Sequence, residues 1–270
     1  MTFEIASIMI EAMKVEPSSD PEVGADHRAR ALAALADPIR LQILDALVLG
    51  DISSGELCAQ LGLASNLLAH HIGVLEREGL VDRHRSQADR RRSYVRLVPG
   101  AFDGLLPGLS TTPRSATTVP AVTRVVFVCT ANSARSQLAA ALWSQHSSVP
   151  VSSGGTHPAP GIAPGAAAVA ERHQLALVQR APQPLPALTA EDYLVTVCDN
   201  AYEDLIHDNA LATTRPHRAH WSVPDPVPVG NNQAFEDAYA ELEGRVVTLA
   251  RHLKPATDAR TDPESDREPA

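Results

Sequence analysis

Residues 125–143 read VVFVCTANSARSQLAAALW, and this stretch decides the fold of the second half of the chain. An apolar run typical of a buried strand ends at Cys129, and a helix-like segment begins shortly after it. The polar loop between them has the spacing C-x5-R-S, which brings Arg135 and Ser136 to the start of the helix. A strand, a tight loop and a helix N-terminus together form a cradle of backbone N–H groups for an oxyanion.

This loop is expected to make Cys129 a nucleophile, because its N–H groups and the helix dipole favour thiolate over thiol. The planar guanidinium of Arg135 suits two oxygens of a tetrahedral anion. Ser136 is predicted to hydrogen-bond the sulfur, and Asn132 to hold the loop in a strained shape. A buried cysteine beside a chance arginine is the alternative. The predicted oxyanion-binding residues are Thr130, Ala131, Asn132, Ser133, Ala134 and Ser136.

A nucleophile that attacks a tetrahedral anion needs an acid for the departing oxygen. The stretch HWSVPDPV, residues 220–227, supplies Asp225 between two prolines. The prolines predict a stiff loop that holds this carboxylate over the cradle. An isolated Asp-Pro pair is usually a turn, so the assignment depends on the cysteine loop.

Residues 123–254 resemble the low-molecular-weight protein tyrosine phosphatases and, within that fold, the arsenate reductases. The resemblance implies a phosphatase-I-like α/β domain with a four-stranded parallel sheet and helices on both faces. It also implies that Cys129 is the nucleophile, Arg135 the oxyanion binder and Asp225 the acid. SSGGTHPAPG from Ser152 resembles the segment after the second strand, and YLVTVCDN from Tyr193 the third strand. The inward face of the closing amphipathic helix is predicted to carry Phe235, Tyr239, Leu242, Val246, Leu249 and Leu253.

Arsenate and phosphate have the same shape and charge, so the cradle does not separate them. Eukaryotic-type phosphatases of this fold follow Asp-Pro with tyrosines, where this chain has Val227, Pro228 and Val229. They also often carry a cysteine at the position of Ala134. HWSVPDP resembles the reductases more closely.

Arsenate reduction requires a second thiol to attack the sulfur of the adduct. Cys198 resembles the middle cysteine of thioredoxin-coupled reductases, but Leu205 stands where their third cysteine would be. Either Cys198 resolves the adduct and a redoxin of the thioredoxin type reduces it, or a small thiol of the mycothiol and glutaredoxin systems acts instead. The small-thiol route is slightly preferred, and no bound cofactor is expected.

The first half of the chain predicts a small helical domain that ends in a basic hairpin. Asp37-Pro38 and the pair Ser53 and Glu56 are helix-start signals, and Gly62 and Gly79 are stop signals. Ser65 is predicted to cap a helix whose inward face carries Leu68, Ile72 and Leu75. Two helices joined by a short turn, followed by the arginine-rich hairpin at residues 80–98, form an α+β winged helix-turn-helix arrangement.

Residues 25–100 resemble the ArsR-type winged-helix repressors, in the segments ALADPIRLQILDAL and ELCAQLGLASNLLAHHIGVLEREGLV. The resemblance implies a homodimer that binds two-fold operator DNA. Members that sense trivalent arsenic through this helix carry a second cysteine two positions after Cys58, where this chain has Gln60. Cys58 is therefore read as a core residue. The implied DNA-binding residues are Ser65, Asn66, His70 and His71, with Arg90, Arg91 and Arg92 on the wing.

The 270 residues, the net charge of −9 and the three scattered cysteines fit a cytoplasmic protein of two domains without a disulfide framework. No apolar run approaches the length of a membrane span. No metal site is expected, and His157, His217 and His220 are read as loop or surface groups. The predicted divisions are an N-terminal arm (1–24), the winged domain (25–100), a linker (101–122), the phosphatase-like domain (123–254) and a disordered tail (255–270).

The leading interpretation is a transcriptional regulator fused to an arsenate reductase. A low-molecular-weight phosphatase fused to a repressor is the second, and a non-catalytic oxyanion sensor that controls DNA binding is the third. The linker is rich in glycine, proline, serine and threonine, and a flexible tether transmits little strain. Weak coupling between the two domains is therefore expected.

Overall fold

A computed structural model describes residues 21–102, 105, 122–208 and 216–253. Residues 1–20 of the predicted arm, most of the predicted linker and the predicted tail lie outside the described residues, so those assignments remain predictions. Where the described part overlaps them, it differs. The first helix begins at Pro21, inside the predicted arm. Leu105, inside the predicted linker, is buried in the core of the first domain and its carbonyl accepts from Arg28 Nε.

The first domain has the predicted winged helix-turn-helix architecture. Its three short strands form an antiparallel sheet in the order β1-β3-β2. The helices are α1 (Pro21–Leu35), α2 (Pro38–Leu47), α3 (Ser54–Leu61) and α4 (Ser65–Arg77). The strands are β1 (Ile52–Ser53), β2 (Val81–Arg85) and β3 (Ser93–Leu97).

The helix starts follow the local capping signals with one exception. Asp37 caps α2 by accepting from two backbone N–H groups, and Ser53 and Glu56 form the predicted capping box of α3. Ser65 was predicted to cap α4, and this is wrong. Ala64 occupies the cap position without a side-chain hydrogen bond, so packing of the inward face holds α4 in place.

The core of this domain lies where the helical periodicity predicts it. Leu68, Ile72 and Leu75 are buried on the inner face of α4. Cys58 is half-buried and packs against the same core, in agreement with its reading as a core residue.

The second domain is the predicted α/β domain. Its four strands are parallel and lie in the order β5-β4-β6-β7. The strands are β4 (Arg124–Cys129), β5 (Val151–Gly155), β6 (Asp192–Thr196) and β7 (His217–His220). The helices are α5 (Arg135–His146), α6 (Pro164–Arg172), α7 (Asp199–His207), α8 (Pro226–Val229) and α9 (Asn232–His252).

The register of this sheet places two thiols at one edge. Cys129 is opposite Gly155 of β5, and its neighbour Val128 is opposite Thr196 of β6. Cys198 follows β6 by two residues, so it lies at the same carboxyl edge. Helix α9 packs against α5, and the six predicted inward residues of α9 and its end are all buried.

The two domains also pack directly against each other. The carboxylate of Asp51, at the start of β1, accepts from Arg245 Nη1 and Nη2 on α9 at 2.8 and 3.1 Å. Trp221 Nε1 donates to the carbonyl of Leu49 at 2.8 Å. Tyr94 of β3 is fully buried and lies 4.7 Å, ring centre to ring centre, from His220. The expectation of weak coupling rested on the linker as the sole connection, and that premise is wrong.

Within the described ranges, no helix combines the length and the apolar character needed to cross a membrane.

Candidate active site

The sulfur of Cys129 sits inside the loop of residues 129–136, which we call the anion loop. It accepts from the backbone N–H of Asn132 at 3.1 Å and lies 3.1 Å from Ser136 Oγ, as the sequence predicts. The residue is 2% exposed. Donors of this kind stabilise a thiolate, so the surroundings suit a nucleophilic sulfur.

Asn132 fixes the shape of the anion loop. Its backbone has a positive φ of 49°, in the left-handed region. Its side-chain N–H group donates to Ser136 Oγ at 2.8 Å and to Ser153 Oγ at 2.9 Å. Its side-chain oxygen accepts from Gln137 at 3.0 Å and from the N–H of Gln183 at 2.8 Å. With Ser136 Oγ accepting from Asn132, the hydroxyl hydrogen of Ser136 is available to the sulfur.

The residues after β5 hold the backbone carbonyls of the anion loop. The carbonyls of Thr130 and Ala131 accept from the N–H groups of His157 and Ala159, and Ser133 accepts from Ala163. Because these carbonyls are bound from behind, the loop N–H groups are left to serve an anion. The close approach requires glycine at position 155, since a Cβ there would lie 2.6 Å from the Thr130 oxygen.

Arg135 is buried at the start of α5. Its Nη1 donates to the carbonyl of Val223 at 2.8 Å, and its Nη2 lies 2.8 Å from Asp225 Oδ2. Its Nε is buried and has no hydrogen-bond partner among the described residues. A buried guanidinium N–H without a partner is costly, and an oxyanion in the anion loop would satisfy it.

Asp225 lies at the mouth of the same site. Its side chain is 34% exposed and caps the short helix α8 by accepting from the N–H of Val227 at 3.1 Å. The structure thus brings Cys129, Arg135 and Asp225 together, although their catalytic roles remain predictions. We call residues 220–225, which carry this carboxylate, the acid segment.

Cys198 lies beside the anion loop but is poorly accessible. It is 2% exposed, and its sulfur lies 3.5 Å from Thr130 Oγ1 and accepts from the N–H of Ala201 at 3.5 Å. Burial raises the pKa of the Cys198 thiol, against the opposing effect of Arg135. In this conformation Cys198 is a weak nucleophile.

A buried polar network behind the site was not recognised from the sequence. His220 was read as a loop or surface group, and this is wrong. Its ring lies 3.0 Å from Thr196 Oγ1 and 3.2 Å from Asp199 Oδ1, and it stacks on Tyr202 at 4.2 Å. Burial opposes the charge of Asp199, but hydrogen bonds from His220 and from the Gln87 N–H hold the pKa of Asp199 below its usual range.

His157 and His217 are exposed, as expected. In the part of the chain that the structure describes, no group of three or more histidine, cysteine or acidic side chains is placed to hold a metal ion.

The predicted DNA-binding residues divide into exposed and buried ones. Ser65, Asn66 and His70 are exposed on α4. His71 does not face outward: it is 6% exposed, with Nδ1 3.6 Å from Asp37 Oδ1, because the inner face of α4 includes its position. On the hairpin, Arg90 and Arg91 are exposed and Arg92 is half-buried.

Two known families match the chain. Residues 124–259 match the family described as low molecular weight phosphotyrosine protein phosphatase. Residues 35–84 match a helix-turn-helix domain.

Curated relatives match the first domain alone. A biofilm growth-associated repressor of Xylella fastidiosa is 37% identical over 67 residues, 25% of this chain and 59% of that protein. The nodulation protein NolR of Rhizobium meliloti is 33% identical over 85 residues, 32% of this chain and 66% of that protein. The chain therefore spans less than two thirds of the length of these relatives.

Solved structures match the second domain. An arsenate reductase from Archaeoglobus fulgidus is 23% identical, with 47% of this chain and 98% of that chain covered and a TM-score of 0.39. A thioredoxin-dependent arsenate reductase from Corynebacterium glutamicum is 24% identical, with 49% and 62% covered and a TM-score of 0.37. An arginine phosphatase from Geobacillus stearothermophilus is 23% identical, with 48% and 91% covered and a TM-score of 0.40.

Proposed function

The chain belongs to the low molecular weight phosphotyrosine protein phosphatase family, and on this basis we propose that it is a thiol-dependent arsenate reductase fused to a DNA-binding regulator. One observation carries the enzymatic half of the proposal. Arg135 has a buried Nε without a partner among the described residues, and it lies in a loop whose N–H groups surround the Cys129 sulfur. This site suits attack by a thiolate on a bound tetrahedral oxyanion.

The proposed first step forms a sulfur–arsenic bond. The Cys129 thiolate attacks the arsenic(V) of arsenate while Arg135 and the loop N–H groups hold its oxygens. Asp225 gives a proton to one arsenate oxygen, which leaves as water. The product is a covalent thiol–arsenate adduct on Cys129.

The proposed second step reduces the arsenic. A second thiolate attacks the Cys129 sulfur and forms a disulfide, and the electron pair of the sulfur–arsenic bond passes to arsenic. Arsenic(V) thereby becomes arsenic(III) and leaves as arsenite. Because Cys198 is buried and its pKa is raised, an external small thiol is the preferred reductant in this step.

The residues after the acid favour arsenate over an aromatic phosphoester. Val227 and Val229 are exposed at the mouth of the site on α8, where aromatic side chains would be needed to stack on a phosphotyrosine ring. Hydrolysis of phosphoesters is the second candidate, because the same anion loop accepts phosphate. A non-catalytic oxyanion sensor is the third.

The regulatory half of the proposal rests on the exposed face of α4 and on the hairpin. Ser65, Asn66 and His70 are placed to meet base edges, and the exposed Arg90 and Arg91 to meet phosphates. We propose that two copies of the chain bind a two-fold operator as a homodimer.

Turnover by the purified, reduced protein tests the enzymatic proposal. Arsenate is supplied with thioredoxin, glutaredoxin and mycothiol systems in turn, and 4-nitrophenyl phosphate in parallel, with Cys129→Ser as the blank. Arsenite formation that disappears in the variant supports the reductase. Ester hydrolysis without arsenate reduction identifies a phosphatase, and inactivity in both assays leaves the sensor.

A further inference from the structure

We infer that Gln87, at the tip of the winged-helix hairpin, is a positioning residue of the active site and acts through Asp225. The inference rests on the proposed role of Asp225 as the general acid. It makes the DNA-binding domain a structural part of the enzyme, which neither domain's family match describes.

The winged-helix domain holds the upstream end of the acid segment at three points. The N–H of Asp51 donates to the carbonyl of His220 at 2.7 Å, and the Asp51 carboxylate accepts from the N–H of Ser222 at 2.7 Å. Trp221 Nε1 donates to the carbonyl of Leu49. The backbone contact is close: a Cβ on residue 50 would lie 2.7 Å from the His220 oxygen, which explains the glycine there.

Gln87 holds the downstream end. The backbone N–H of Asp225 donates to Gln87 Oε1 at 3.3 Å. Pro224 and Pro226 have no N–H group, so the Asp225 amide is the single backbone donor between residues 223 and 227. The hydrogen bond to Gln87 is therefore the one backbone attachment available at the residue that carries the carboxylate.

The wing tip is itself anchored without the Gln87 side chain. The backbone N–H of Gln87 donates to Asp199 Oδ2 at 2.6 Å. Ser86 Oγ and the N–H of Asp89 donate to the two carboxylate oxygens of Glu203 at 2.7 and 3.1 Å. Replacing the Gln87 side chain consequently removes the contact with Asp225 and leaves the domains docked.

This attachment matters most once an anion is bound. The Asp225 carboxylate is oriented by Arg135 at 2.8 Å, and an oxyanion competes for the same guanidinium. When Arg135 turns to the anion, the backbone attachment and the cap to Val227 are what still orient the acid. Small displacements of a positioned acid reduce its efficiency.

The test compares Gln87→Met, which keeps the length and loses the acceptor, with Gln87→Glu, which keeps an acceptor oxygen. Gln233→Met is the matched control, since Gln233 is exposed on α9 and hydrogen-bonds to Asp237. Hydrogen exchange is followed by mass spectrometry on a peptide that spans the acid segment. Turnover is measured with arsenate, with phenyl phosphate and with 4-nitrophenyl phosphate.

We expect Gln87→Met to speed exchange of the Asp225 amide about fivefold and to slow turnover of arsenate and phenyl phosphate by about fivefold, as loss of one hydrogen bond allows. Turnover of 4-nitrophenyl phosphate should fall less, because its leaving group needs less help from an acid. Gln87→Glu should restore both readouts, and Gln233→Met should match the wild type.

Unchanged exchange in Gln87→Met overturns the inference, as do equal losses on both esters. A wild-type protein that turns over no substrate refutes the proposed function instead. In that case the exchange rates alone still decide whether Gln87 holds the backbone of Asp225.

Discussion

Arg135 and Asp225 form a salt bridge, with Nη2 of the first 2.8 Å from Oδ2 of the second. The proposed anion-binding group and the proposed acid thus neutralise each other before substrate arrives. An incoming oxyanion has to replace the carboxylate on the guanidinium, which releases the carboxylate toward the departing oxygen. Substrate binding and the readiness of the acid are linked through this one pair.

Asp225→Asn removes the competing charge and the acid together. Inorganic phosphate is expected to bind about tenfold more tightly, because one like charge near the anion is lost. Turnover of arsenate should fall by about 10²- to 10⁴-fold, as loss of a general acid predicts. Calorimetry and arsenite formation measure the two effects, with Asp237→Asn as the exposed control. Weaker phosphate binding in Asp225→Asn would contradict the competition.

Cys198→Ser is expected to retain most of the arsenate turnover when the right small thiol is supplied. Serine is a good helix cap, so the start of α7 should be preserved. Turnover is measured with each thiol system against Cys129→Ser as the blank. Complete loss of activity with every thiol would show that Cys198 is the resolving thiol.

Asp51→Ala is expected to destabilise the contact between the domains. The Asp51 side chain is 2% exposed and that of Arg245 is 19% exposed, so the substitution leaves a largely buried charge without its partner. Such a loss costs about 3 kcal/mol of the free energy of unfolding. Urea unfolding of Asp51→Ala, Arg245→Met and the double variant completes a double-mutant cycle. Additive effects would refute a direct coupling of the pair.

The stability of the wing should depend on pH through His84. Burial lowers the pKa of His84 from its usual 6.5, with smaller effects from Asp51, Arg96, Asp199 and Asp82. The unfolded chain therefore takes up the proton first, so stability is complete above about pH 6.5 and is lost as the pH falls toward the lowered pKa. Neither ring nitrogen has a hydrogen-bond partner among the described residues.

Urea unfolding at a series of pH values measures this dependence. His84→Gln should flatten the curve below about pH 6.5, because the titrating group is gone. His207→Gln, at an exposed position on α7, serves as the control and should keep the wild-type slope. A curve for His84→Gln that parallels the wild type would rule out His84 as the source.

Arg90→Ala combined with Arg91→Ala is expected to weaken binding to a random-sequence DNA duplex. Each lost phosphate contact should reduce the salt dependence of log K by about one. Fluorescence anisotropy at several salt concentrations measures the slope, and Arg251→Ala, exposed at the end of α9, is the control. Equal slopes for all three proteins would remove the hairpin arginines from the DNA interface.

Much of the site followed from short-range patterns. The capping box at Ser53 and Glu56, the strand before Cys129 and the amphipathic helix α9 each depend on residues a few positions apart. Periodicity and capping chemistry act over that distance, so the sequence predicts them directly. The anion loop belongs to the same class, since its donors and its arginine lie within residues 129–136.

The errors fall where a pattern leaves two partners open. His71 and His220 were expected on surfaces, and both are buried beside a carboxylate, 3.6 Å from Asp37 and 3.2 Å from Asp199. A histidine at one position of a helix or strand end fits solvent or a buried acid equally well. The choice depends on which element packs against it, and that is a long-range property.

By itself, the sequence determined the two domain folds, the anion loop and the exposed basic hairpin, because local periodicity and residue spacing suffice for these. Tertiary structure alone decided that Asp225 pairs with Arg135 and that Asp51, Tyr94 and Gln87 of the winged-helix domain reach the acid segment. Such contacts join residues far apart in the chain, and the geometry of the packed domains selects them from many polar pairs of similar chemistry.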